Sequence, residues 1–127
     1  MTGEPQISTL LYHQRPSNLL DLVSRSLDAD KAIDPVVIDL AGKTTLADHM
    51  VVATGSSQRH IAAMAEKLIE RLHQAGHHDV SCEGLGDSSW VLIDAGDVIV
   101  HVFRPEVRAF YNLEGMWAPE TRARAVG

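Results

Sequence analysis

The stretch "SWVLIDAGDVIVHVF", residues 89–103, decides how the rest of this chain is read. Two runs rich in Val and Ile flank an Ala-Gly pair, the pattern of a β-hairpin turning at Ala95-Gly96. With those two residues as the loop, Asp94 is expected opposite Asp97, Ile93 opposite Val98, Leu92 opposite Ile99, Val91 opposite Val100 and Trp90 opposite His101. Side chains alternate across a strand, so the hairpin has two faces. The first, Val91, Ile93, Val98, Val100 and Val102, is wholly aliphatic and belongs to a core. The second, Trp90, Leu92, Ile99, His101 and Phe103, mixes aromatic, imidazole and aliphatic groups and ends in a carboxylate pair.

Downstream, Pro105 opens a short amphipathic helix, "PEVRAFY", that leads to Trp117. Residues 100–117 hold four of the chain's six aromatic side chains, Phe103, Phe110, Tyr111 and Trp117, with Trp90 just before them. Trp and Tyr are apolar yet carry a polar handle, which suits them to interfaces. Sheets in mixed folds are also commonly covered on both faces. Two readings of the second face therefore stand: a helix lies over it, or it is a docking surface.

Upstream, "SSQRHIAAMAEKLIERLHQAG" (56–76) is the clearest helix. Ser56 is the expected N-cap, Ile61, Met64, Ala65, Leu68 and Leu72 form the apolar stripe, and Gly76 supplies the left-handed stop. "DHMVVATG" before it reads as a strand ending at Gly55. "PVVIDL" (35–40) reads as a short buried strand opened by Pro35, and "PSNLLDLVSRSLDADK" as a helix with Leu20, Val23 and Leu27 at helical spacing. The expected organisation is a leader over 1–16, one folded domain over 17–117 and a polar tail over 118–127. The fold class is α/β (α+β), a single mixed sheet flanked by helices.

Composition narrows the function classes. With 127 residues, 45% hydrophobic and 22% charged, this is the make-up of one ordinary globular domain. Acids outnumber bases by 17 to 11, for a formal charge of −6, with no basic run. A protein that holds DNA or RNA through phosphates needs clustered Lys and Arg, so a basic protein surface is the expected partner and direct DNA binding is not. No apolar run reaches the ~20 residues of a membrane span, no secretory signal precedes the domain, and Cys82 is alone. A cytoplasmic location follows as an expectation.

Three motifs resemble chemistry. "AGKTT" (41–45) is like the end of a phosphate-binding loop, but the required earlier glycine is Val37, so it reads as a turn. "TGSS" (54–57), between a strand and a helix, is a better anion site because free amides and the helix dipole meet there. The same Gly-Ser pair opens nucleotidyltransferase sites, which also need paired carboxylates on a following strand; Glu66 and Glu70 fall within the helix instead. A capped helix start is the reading carried forward. The alternative is a nucleotide-binding protein or degenerate nucleotidyltransferase using the Gly55-Ser56 loop. His73, His77, His78 and Cys82 are read as a solvated helix end, since Gly76 separates the first two histidines. No catalytic, cofactor-binding or metal-binding residue is expected.

The order of these pieces carries a family resemblance. "DHMVVATGSSQRHIAAMAEKL", "EG" at 83–84, "WVLIDAGDVIVHVF", Arg108 and "FYNLEGMW" together closely resemble the ribosomal silencing factor, or Iojap-like, family over roughly residues 19–117. Gly115 departs from the pattern, where a larger residue is usual. The resemblance implies a nucleotidyltransferase-like fold without the catalytic acids. It further implies binding of the large ribosomal subunit through ribosomal protein L-fourteen, and steric block of the small subunit when nutrients are scarce. On this reading Trp90, Leu92, Asp94, Asp97, His101, Phe103, Arg108, Phe110, Tyr111, Glu114 and Trp117 are the partner-binding residues. A homodimer through the same aromatic face is a further expectation.

Overall fold

The computed structural model describes residues 19–113 and residue 115; the expected leader, the expected tail, Glu114 and Trp117 lie outside the described residues. Among these residues the chain runs α1 (residues 19–29), β1 (Ile33–Asp39), β2 (His49–Thr54), α2 (Gln58–Gln74), β3 (Ser81–Glu83), β4 (Trp90–Asp94), β5 (Val98–Phe103) and α3 (Pro105–Tyr111). The described strands form one five-stranded sheet in the order β1-β2-β5-β4-β3. β2 and β5 run parallel, and the other neighbours are antiparallel. Parallel neighbours need a crossover, which α2, β3 and β4 supply. The mixed, helix-flanked sheet is the expected fold class.

The first face of the hairpin is core, as its aliphatic composition requires. Val91, Ile93, Val98, Val100 and Val102 are buried with Val51 and Ala53 of β2 beneath α1 and α2. From α2 come Ile61, Met64, Ala65, Leu68 and Leu72, the whole apolar stripe. Full burial of each large side chain in that stripe contributes roughly 1.5–3 kcal/mol. The helix ends where expected: Gly76, at φ +97°, gives its N–H to the His73 carbonyl, and the His77 N–H reaches back to Leu72. This paired closure satisfies two of the last carbonyls.

Three local expectations are corrected. The N-cap of α2 is Ser57, whose hydroxyl accepts from the His60 N–H at 3.1 Å, one residue later than Ser56. β1 is an edge strand, with Pro35 inside it beside a register shift between Ile33 and Val36. A proline has no N–H for a ladder, which confines it to such places. Val37, beside Val51 on the first face, stays 48% exposed, so the helical layer stops short of this edge.

The hairpin is also slid by two residues. Trp90 pairs with Phe103, Leu92 with His101 and Asp94 with Ile99, so the expected Asp94–Asp97 pair is not formed. The loop is Gly96-Asp97, closed by Ala95 N–H to the Val98 carbonyl at 3.0 Å. Tight hairpin loops that match strand twist need φ > 0 at their first residue, and Gly96 takes φ +91° there without the steric cost Ala95 would incur. An even slide leaves every side chain on its predicted face.

Candidate functional site

The second face carries the candidate site. Its β1 and β2 half is sealed by Ile38, Leu40, Ala47, Met50 and Val52, which cluster with Phe103. Its β5 and β4 half holds Trp90, Leu92, Ile99 and His101. A helix does lie over this face, but α3 returns over one end only and leaves the rest uncovered among the described residues. Tyr111 of α3 lies 4.6 Å from Trp90 between ring centroids, and Trp90 is 4.9 Å from Phe103. His101 stacks on Phe103 with 6° between ring planes. Phe103 is fully buried, and so it is the floor under the aromatic surface, not part of it.

Trp90 and His101 are locked to each other. The indole Nε1–H donates to His101 Nδ1 at 3.0 Å. An accepting Nδ1 requires the ring to be neutral with its proton on Nε2. Burial acts in the same direction and pushes the His101 pKa down to about 4. The pair thus fixes the indole in one orientation and presents no positive charge at physiological pH.

Beside Trp90 a shallow notch of about 280 Å³ is lined by Glu83, Gly84, Trp90 and Leu92. Gly84, at φ +94°, passes so close to β4 that a Cβ would lie 2.2 Å from the Trp90 carbonyl oxygen. No other residue lets the chain seat Trp90 this way. Neither Glu83 nor Gly84 was among the expected contact residues. A three-residue strand is too short to show an alternation from which their side could be read.

The other expected contact residues separate into groups. Phe110 is 80% and Tyr111 48% exposed, packed edge to face at 5.0 Å, so both extend the aromatic surface outward. Leu92 is half-buried and Asp94 exposed on the same face. Asp94 also accepts from the Gly96 N–H and so shapes the turn, while the Asp97 backbone carbonyl accepts from the Asp48 and His49 N–H groups and ties the turn to the start of β2. Arg108 points elsewhere. Its guanidinium donates to Thr54 Oγ1 and to the Asp34 carbonyl, each at 2.8 Å, which ties α3 to the ends of β2 and β1. It positions the helix that carries Tyr111. Glu114 and Trp117 lie outside the described residues.

The Gly55-Ser56 loop has a packing explanation. A Cβ on Gly55 would meet Ile61 Cγ1 at 2.3 Å, so the glycine lets α2 approach β2. The Gly55 N–H goes to the Phe103 carbonyl and the Ser56 N–H to His60 Nδ1. His60 Nε2 in turn lies 2.8 Å from the Asp30 carbonyl. The Gly55, Ser56 and His60 amides are thus engaged internally.

Comparison with known proteins agrees with this architecture. The sequence model described as "Ribosomal silencing factor during starvation" matches residues 13–126. A ribosomal silencing factor of Zymomonas mobilis is 54% identical over 102 residues, 80% of this chain and 77% of that protein. A mouse protein named "Mitochondrial assembly of ribosomal large subunit protein 1" is 31% identical over 77% of this chain and 44% of its own length. A crystal structure of a Chromobacterium violaceum protein, 38% identical, superposes with a TM-score of 0.77 over 80% of this chain and 84% of that one.

Proposed function

Since the chain belongs to the ribosomal silencing factor family, we propose that it represses translation by occupying the large ribosomal subunit and keeping the small subunit from docking. Its partner there is ribosomal protein L-fourteen, and its place of action is the cytoplasm. The observation that carries this reading is the Trp90 platform: an indole fixed by His101, backed by Phe103 and flanked by exposed Phe110 and Tyr111. Rigid aromatic anchors of this kind dominate protein interfaces. The excess of acids over bases favours a basic protein surface over bare RNA. The mouse relative, by its name, works on a large ribosomal subunit. Obstruction requires no chemical step, so no catalytic residue enters the mechanism. A homodimer through the same platform would compete with ribosome binding.

The test is gradient sedimentation of separated subunits with and without the protein, at a magnesium concentration that joins them. Co-migration with the large subunit and fewer joined ribosomes are expected. Protein remaining at the top of the gradient, with joining unimpaired, would overturn the reading.

A further inference from the structure

We infer that the notch between β3 and β4 seats one arginine or lysine side chain of the docked partner protein, its stem on Leu92 and Trp90 and its charged head at Glu83. The inference rests on the docking reading above and specifies what the platform recognises. The wall chemistry divides in the way a long basic side chain does. Trp90 and Leu92 give apolar surface, Gly84 leaves the floor without a side chain, and the exposed Glu83 carboxylate stands at the rim. Lys and Arg bury their stems while keeping their heads polar, and an indole face attracts a cation directly.

The sheet register explains why these groups meet. Glu83 pairs with Leu92 across β3 and β4, so both project from the second face, and Cys82 between Glu83 and Ser81 turns to the core. Asp94, two residues along the same face, pairs with Ser81 and extends the negative strip towards the hairpin. No lysine or arginine lies on the second face of β3, β4 or β5. Among the described residues, Arg104 pairs with Glu106 at 2.9 Å and Arg108 donates to Thr54 and to the Asp34 carbonyl. Such a strip repels phosphate, which makes a protein side chain the occupant and an RNA backbone unsuited to it.

The experiment is equilibrium binding to purified large ribosomal subunits at several salt concentrations, with Glu83→Gln, Glu83→Lys, Trp90→Ala and, on α2 over the opposite face of the sheet, Glu70→Gln. Thermal unfolding of each variant confirms that it folds. Glu83→Gln is expected to weaken binding about fivefold and to flatten its salt dependence, and Glu83→Lys to weaken it by tenfold or more. Glu70→Gln removes the same charge and is expected to leave binding unchanged. Subunits are largely RNA, so a general charge effect would strengthen binding when an acid is lost. Unchanged affinity in both Glu83 variants, with Trp90→Ala still impaired, would overturn the notch and leave the docking reading intact. Unchanged affinity in all four would overturn the docking reading itself. A change in self-association without a change in subunit binding would assign the notch to a second copy of the chain, against the inference.

Discussion

Lowering the pH from neutrality to 5 is expected to weaken the fold through His101. In the folded chain burial holds this imidazole at a pKa of about 4, against about 6.5 when exposed. The unfolded chain therefore binds the proton more readily, and stability contributed by the neutral ring is present above pH ~6.5 and lost as the pH falls towards 4. At about 1.4 kcal/mol per tenfold change in the ratio of forms, the full loss is on the order of 3 kcal/mol and the loss at pH 5 is about 2 kcal/mol. That is a sizeable part of the stability of an ordinary domain. The contribution of His101 is isolated by comparison with His101→Gln. Its amide oxygen can still accept from Trp90 Nε1–H and takes up no proton. Urea unfolding of both proteins at pH 7.5 and pH 5 gives the two losses directly. Wild type is expected to lose about 2 kcal/mol more than the variant. Equal losses would refute the argument, because His101 would then carry its proton as easily folded as unfolded.

Other substitutions probe separate parts of the structure. Trp90→Ala is expected to cost on the order of 2 kcal/mol in binding to the large subunit, read as a rise in Kd for a protein that still unfolds cooperatively. Gly55→Ala forces a methyl against Ile61 and Met64 at the β2–α2 crossing. Overpacking of that kind is expected to destabilise by about 1–3 kcal/mol in chemical denaturation. Ser57→Ala removes the α2 cap and should cost about 1 kcal/mol, while Ser56→Ala should cost less, which distinguishes the two serines in a thermal melt.

The elements that the sequence reveals are those whose signal is local and periodic. Alternation in residues 89–103 sorts the hairpin faces correctly even though the register is displaced, because a slide of two preserves sidedness. The displacement follows from the loop being Gly96-Asp97, since Gly96 and not Ala95 takes the positive φ that the first loop position demands. The α2 stripe and its glycine stop were equally legible. Two adjacent serines gave no basis for choosing the cap, which depends on the φ and ψ of Ser57 at the strand-to-helix corner. At the site, the chemistry of the Trp90, Leu92 and His101 surface was readable, and the burial of Phe103 was not. That depends on α3 folding back, with Arg108 reaching Asp34 from 74 residues away. Contacts of such separation leave no pattern in a window of neighbouring residues.

The two borders of the described sheet bear on the ways in which copies of this chain can meet. An unpaired strand edge is a template on which other chains add by backbone hydrogen bonding. β1 is interrupted by Pro35 and a bulge, and β3 offers three residues, with Glu83 exposed among them. Neither border gives a long flat row of donors and acceptors to an incoming strand. Self-association by sheet extension is thereby discouraged, and any reversible pairing of copies is left to the side chains of the exposed face, where a partner can compete for it.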